Sequence, residues 1–143
     1  ILNNYYYFDE LSVLDLFAGT GNISYEFASR GCPSLIAVDS HSGCVQFINK
    51  TARELDYPIT VLKADVYEYL KRTVQRFDVI FADPPYELPI EKFTEIADLV
   101  FERDFLNENG TLIIEHSSRT DLSNLPHFVN SKKYGGCVFS MFE

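Results

Sequence analysis

The chain has 143 residues, with 12 Lys and Arg against 21 Asp and Glu for a formal net charge of -9, and 46% of its residues are hydrophobic. These values fit one soluble globular domain with a core of its own and exclude a disordered chain. No apolar run reaches the roughly 18 residues of a membrane-crossing helix, and no stretch is patterned like a signal peptide, so a cytoplasmic setting is expected.

Residues 1–8 read as the end of an apolar, Tyr-rich helix or loop entered midway, with Tyr5, Tyr6 and Tyr7 packing beside a sheet or stacking on RNA. The chain therefore looks like a fragment. Residues 12–17 (SVLDLF) predict a strand and 22–29 a helix, followed by a strand at 34–38 and a helix at 42–55. In that helix Val45, Ile48, Ala52 and Leu55 fall on one face. A strand at 59–62, a helix at 66–73, a strand at 77–82, a helix at 90–106 and a strand at 110–115 continue the alternation. The strands are short, β-branched and end at polar residues or Gly, as strands buried on both faces should. Alternating strand and helix predicts an α/β, doubly wound and mostly parallel sheet. The pattern then changes. Residues 121–125 leave room for one short turn, and strands at 128–134 and 137–142 are joined by Gly135-Gly136, which fits a tight hairpin with at least one antiparallel pairing. Cys32, Cys44 and Cys137 have no CxxC spacing and read as small core residues.

The first strand runs into Asp15-Leu-Phe17-Ala18-Gly19-Thr-Gly21, a Gly-rich turn opening a helix where open α/β sheets bind ligands. Glycines let the backbone approach a ligand and take positive φ, and a helix start offers unpaired N–H groups. A dinucleotide fingerprint wants a third Gly where Ser24 stands, so that fingerprint is incomplete. Asp15 suits a cationic ligand end, such as an amino-acid ammonium, better than a pyrophosphate. Asp39 closes the second strand, 18 positions after Gly21, where an acid can accept both ribose hydroxyls of an adenosine. Asp65 either faces the adenine edge of the same ligand or caps the helix starting at Val66, and the two roles are compatible.

The fourth strand ends in Asp83-Pro84-Pro85-Tyr86, the most specific pattern in the chain. Two prolines extend the backbone and remove two N–H donors, leaving an acceptor-rich surface. An exocyclic amine of a nucleobase needs acceptors of this kind to aim its nitrogen at an electrophilic methyl. Tyr86 adds a flat face for a base taken out of its stack. His41, His116 and His127 lack metal-ligand spacing, so no metal site is expected, and His116 reads as a satisfied strand-end histidine.

In order and spacing, VLDLFAGTG, Glu26, Ser29-Arg30-Gly31, Asp39, Asp65, FDVIFADPPY and the terminal YGG hairpin resemble the class I S-adenosylmethionine-dependent methyltransferases that modify nucleobase amino groups. Within them the chain is similar to the RsmD-like family, from about Leu11 to Phe142. That resemblance implies a Rossmann-like class I methyltransferase fold, S-adenosyl-L-methionine as cofactor, and transfer to the N2 of a guanine in small-subunit ribosomal RNA, naked or in an assembling subunit. It implies a cofactor set of Asp15, Phe17, Ala18, Gly19, Gly21, Asp39, Ser40, Asp65, Val66 and Asp83. Asp15 and the turn would hold the methionine part, Asp39 the ribose and Asp65 the adenine. Asp83, Pro84, Pro85 and Tyr86 would position the target base.

The family usually begins with a basic segment that grips RNA, and residues 1–143 are expected to be a catalytic domain lacking it. Arg30, Arg119, Lys132 and Lys133 are too few to offset the acidic remainder unless folding gathers them around the crevice. The nearest alternative is a DNA adenine-N6 methyltransferase, because Asp-Pro-Pro-Tyr serves either amine. A noncatalytic nucleotide-binding domain and a nicotinamide dehydrogenase follow.

Overall fold

The computed structural model describes residues 7–143, so the reading of residues 1–6 lies outside the described residues. Among the described residues a 3-10 turn, Phe8–Glu10, comes first, its Phe8 ring 5.7 Å from that of Phe27. Strands β1 (Ser12–Leu16), β2 (Ser34–Asp39), β3 (Ile59–Lys63), β4 (Phe77–Ala82) and β5 (Leu106–Ser117) alternate with helices α1 (Asn22–Ser29), α2 (Ser42–Leu55), α3 (Val66–Arg72) and α4 (Ile90–Glu102). Strands β6 (Phe128–Tyr134) and β7 (Cys137–Phe142) follow. The sheet order is β3-β2-β1-β4-β5-β7-β6. Strands β1 to β5 pair in parallel, and β7 runs antiparallel to both of its neighbours. This is the mostly parallel, doubly wound sheet with a terminal hairpin that the sequence predicts.

Strand alternation sorts the core onto the two faces of the sheet. Leu14 and Leu16 of β1, Ile80 and Ala82 of β4, and Leu112 and Ile114 of β5 pack with Val66 and Leu70 of α3 and with Phe93, Ile96 and Val100 of α4. Val13, Val79, Phe81, Ile113 and Met141 face the other way, toward Phe27 and Ala28 of α1. Helix α2 lies against β2 and β3. Among the described residues no helix is long and apolar enough to cross a membrane.

Several boundaries differ from the sequence reading. The predicted helix at 90–106 stops at Glu102, and Leu106 already pairs with Phe77 as the start of β5. The cause is a left-handed residue, Asp104 at φ 58°, after which the Phe105 N–H donates to the Val100 carbonyl at 3.0 Å and turns the Phe105 ring into the core. The same closure ends α1 at Gly31, where Cys32 donates to Phe27, and α2 at Asp56, where Tyr57 donates to Ala52. Only Gly31 announces itself in the sequence. Thr73 is extended at ψ 150° and lies outside α3. Phe17 leaves β1 at φ 56°, while β2 and β3 each run one residue further, to Asp39 and Lys63.

On α2, Ile48 and Ala52 are buried and Val45 half-buried, but Leu55, the last residue of the helix, is 51% exposed. Of the cysteines only Cys32 is fully buried; Cys44 and Cys137 are half-buried. His116 is buried, with Nε2 2.7 Å from the Ser140 hydroxyl and Nδ1 2.9 Å from the Ser117 carbonyl, and is the satisfied strand-end residue expected.

Candidate functional site

The parallel strands end together along one edge, and the fold bends β1 sharply there. Phe17 (φ 56°), Gly19 (φ 58°) and Gly21 (φ 90°) all take the left-handed conformation within five residues, strain that for Phe17 must be held by its surroundings. Three backbone bonds hold it. Ala18 N–H donates to the Val38 carbonyl at 3.0 Å, Gly21 N–H to the Ala18 carbonyl at 2.9 Å, and Asp83 N–H to the Leu16 carbonyl at 3.4 Å. At Gly21 a Cβ would lie 2.8 Å from the end of the Tyr25 side chain, which would have to shift, and the positive φ is what demands glycine. At Gly19 a Cβ would meet nothing within 4 Å, which leaves the turn open on that side.

The expected cofactor acids are all brought to this edge. Asp15 is 1% exposed and accepts from the Ser24 hydroxyl at 2.7 Å, so the residue that spoils the dinucleotide fingerprint anchors the first acid. Burial pushes the Asp15 carboxyl up to about 7; the Ser24 hydrogen bonds oppose this, and the charges of Asp83 and Asp39 add to it. Asp39 accepts from Gly19 N–H at 2.9 Å and His41 N–H at 2.8 Å, tying the turn to the start of α2. Ser40 is exposed beside it. Asp65 caps α3, accepting from Glu68 N–H at 3.2 Å, and Val66 is buried in the core beneath. The capping role of Asp65 is the one seen.

Asp83, Pro84, Pro85 and Tyr86 leave the end of β4 next to the turn. Pro84 is buried and Pro85 exposed, while the Tyr86 ring is 48% exposed. Loss of water raises the Asp83 carboxyl above its ordinary range. The Tyr86 hydroxyl is raised as well, by desolvation first and then by Glu115, Cys137 and Asp83, which places all four groups together. Glu115 and the hairpin tip around Cys137 were not among the expected site residues. A signal for Glu115 existed, because it stands at the end of an apolar run as Asp39 does. The lysines Lys132 and Lys133 lie exposed on β6 just before that tip, whereas Arg30 is paired with Glu26 at 2.8 Å.

An apolar cavity of about 330 Å³ opens on the α1 face, lined by Ile23, Phe27, Phe81, Ile113, Tyr134 and Phe139 among others. None of the expected site residues lines it. Among the described residues no group of three or more His, Cys, Asp and Glu is placed to hold a metal ion.

The edge as a whole is acidic, and Asp15 titrates high partly because Asp39 and Asp83 are near it. Such a site favours a ligand that brings positive charge, which would draw Asp15 back toward its ionised form. The open side of Gly19 and the acids around it fit the cationic amino-acid end of S-adenosylmethionine.

YlbH of Bacillus subtilis (strain 168), assigned as an rRNA methyltransferase, is 33% identical over 121 residues, covering 81% of this chain and 65% of the relative. Ribosomal RNA small subunit methyltransferase D of Buchnera aphidicola subsp. Baizongia pistaciae is 29% identical over 106 residues, covering 73% of this chain and 53% of the relative. The chain thus spans less than two thirds of either relative's length. The solved structure of Escherichia coli yhhF, assigned as a methyltransferase, matches with a TM-score of 0.84 at 19% identity, over 99% of this chain and 78% of that one, a likeness of fold. The sheet order and terminal hairpin are those of a Rossmann-like class I fold. Because residues 1–143 match the family described as conserved hypothetical protein 95 along their whole length, the chain belongs to that family, the RsmD-like one.

Proposed function

We propose that this chain is the catalytic part of an S-adenosylmethionine-dependent methyltransferase acting on the exocyclic N2 amine of a guanine in small-subunit ribosomal RNA. The observation that carries the reading is the placing of Asp83 and an exposed Tyr86 directly beside a Gly-rich turn lined with carboxylates. The names of several relatives support ribosomal RNA as the substrate class, two of them naming the small subunit and others the large.

Asp15 and the open turn at Gly19 would hold the ammonium and methionine part of the cofactor, Asp39 with Ser40 the ribose, and Asp65 with Val66 the adenine. Asp39 retains acceptor capacity for this, since its two hydrogen bonds use two of about four lone-pair sites. When bound, the cofactor supplies an electrophilic methyl on a positively charged sulfur. Tyr86 offers its ring face to the flipped base. Asp83 accepts a hydrogen from the target amine, turns the nitrogen lone pair out of the ring system and stabilises the positive charge that develops there. With its carboxyl above the usual range, Asp83 also accepts the proton that nitrogen sheds. Pro84, which is buried, fixes the path of the chain so that this geometry exists before the base arrives.

Transfer of labelled methyl from S-adenosylmethionine to total RNA, followed by nucleoside analysis, tests the reading. N2-methylguanosine is expected. N6-methyladenosine in DNA would replace the reading with the adenine alternative, and cofactor binding without transfer to any nucleic acid would make the chain a noncatalytic binder.

A further inference from the structure

Asp83 has a neighbour of its own kind. Ala82, the last residue of β4, pairs with Ile114 of β5 on strands about 4.8 Å apart, so Asp83, the first residue past β4 and still bonded through its N–H to the Leu16 carbonyl of β1, comes out beside Glu115 of β5. Alternation sends both side chains to the same face, because Phe81 and Ile113, two residues earlier on each strand, both pack on the α1 side. Glu115 is half-buried, and among the described residues its carboxylate takes part in no hydrogen bond or ion pair. Burial raises its carboxyl, and the charge of Asp83 raises it further. Both carboxylates act on the Tyr86 hydroxyl.

We propose that Glu115 is the residue that selects guanine, by accepting the N1–H of the target base while Asp83 holds the neighbouring exocyclic amine. This rests on the function proposed above and deepens it. The argument is one of edges. In guanine the ring atom beside the reactive N2 amine is N1, which carries a hydrogen; in adenine the ring atom beside the N6 amine is also N1, but it carries a lone pair. Two adjacent carboxylates therefore complement guanine, whose amine and N1–H point the same way, and oppose adenine, whose N1 would face a negative oxygen with nothing to share. Both carboxylates are partly open in the free protein and would be covered by the bound base, so an analogue lacking the N1–H leaves a newly desolvated acceptor unpaired and is rejected more strongly than by an apolar pocket. The Asp-Pro-Pro-Tyr pattern treats both amines alike, so discrimination has to come from outside it. Glu115 supplies it from the next strand.

The test uses 2-aminopurine, which keeps the exocyclic amine at position 2 but has a lone pair at N1. The guanosine methylated by the wild-type protein is mapped first, and small-subunit ribosomal RNA is then assembled by ligation with guanine or 2-aminopurine at that nucleotide. Wild-type protein should prefer guanine by about 10- to 100-fold in methyl transfer, and by a parallel factor in RNA binding measured without cofactor. Glu115→Gln, whose amide can donate as well as accept, should bring both ratios to within about threefold of unity, with S-adenosylmethionine binding serving as the check on folding. A wild-type protein that methylates both bases equally, or a Glu115→Gln variant that keeps the wild-type ratios, overturns the selecting role and leaves guanine methylation standing. Methyl transfer by the wild-type protein to adenine alone overturns both.

Discussion

The carboxylates along the ligand edge fall into two groups that the fold treats differently. On the side of β1, β2 and β3, Asp15 accepts from Ser24, Asp39 from Gly19 and His41, and Asp65 from Glu68, so each acid already fixes a piece of the turn or a helix start. Past β4 and near the end of β5, Asp83 and Glu115 stand next to each other, and among the described residues neither carboxylate accepts a hydrogen bond or forms an ion pair. The first group is committed to shape, and its geometry is complete before any ligand enters. The second keeps its acceptors free at the cost of mutual repulsion and lost water, an arrangement made useful by a partner that supplies N–H groups.

Three experiments separate the two sides. The largest effect is expected from Asp83→Ala, which should lower methyl transfer by at least about 100-fold while leaving S-adenosylmethionine affinity within about twofold, because its partner belongs to the transition state. Single-turnover kinetics alongside calorimetry would check it, and a parallel loss of cofactor binding would move Asp83 into the first group. Next, Asp39→Ala should weaken cofactor binding by about 1 to 3 kcal/mol, since the charge-assisted contacts to the ligand and the ties to Gly19 and His41 disappear together. Unchanged calorimetric affinity would break the link between the turn and the ribose.

The smallest effect is one of pH. Asp15, with its carboxyl at about 7, is protonated in the free protein under mildly acidic conditions, and a cationic ligand binds its ionised form better. Cofactor affinity should therefore level off above about pH 8 and fall below 7 by at most about tenfold per unit. Folding stability follows the opposite sign. The folded protein holds the Asp15 proton more tightly than the unfolded chain does, so this group's contribution is full below 3.8 and is lost as pH rises toward about 7. The melting temperature of Asp15→Asn relative to wild type should accordingly rise between pH 5 and pH 8; a constant gap would show that Asp15 is ionised throughout.

The same two-sidedness explains what could be read from the sequence. The Gly-rich turn, Asp39 and the strand at 77–82 were legible because each couples a residue type to a local backbone need: positive φ at Gly19 and Gly21, or apolar residues on both faces of a central strand. Ser24 is legible only as a missing glycine, since its hydrogen bond to Asp15 joins α1 to β1, whereas the cap made by Asp65 is a local bond to Glu68 three residues on and is one of the two roles its position predicts. The end of α4 was misread because Asp104 takes the left-handed conformation without being glycine, and the apolar Phe105 and Leu106 continue the helical spacing into what is a loop and a strand. Glu115 was passed over because its importance is relational. Nothing in residues 110–115 says that Asp83 will be its neighbour until β4 and β5 are set in register.

The insertion of β7 between β5 and β6 has a consequence for biosynthesis. A nascent chain that has been translated through Tyr134 already contains every residue of β6, yet β6 has no strand to join, because among the described residues its sole partner in the sheet is β7. Until Cys137–Phe142 emerge, β5 also carries an open edge along Leu112 to Ser117, next to core positions that Met141 and Phe142 will later seal. Such an unpaired edge is a template for pairing with other chains. Chain release shortly before β7 would thus yield a molecule with its Gly-rich turn, Asp83 and Glu115 in place but a hydrophobic seam left unsealed, a product for chaperones and proteases to sort.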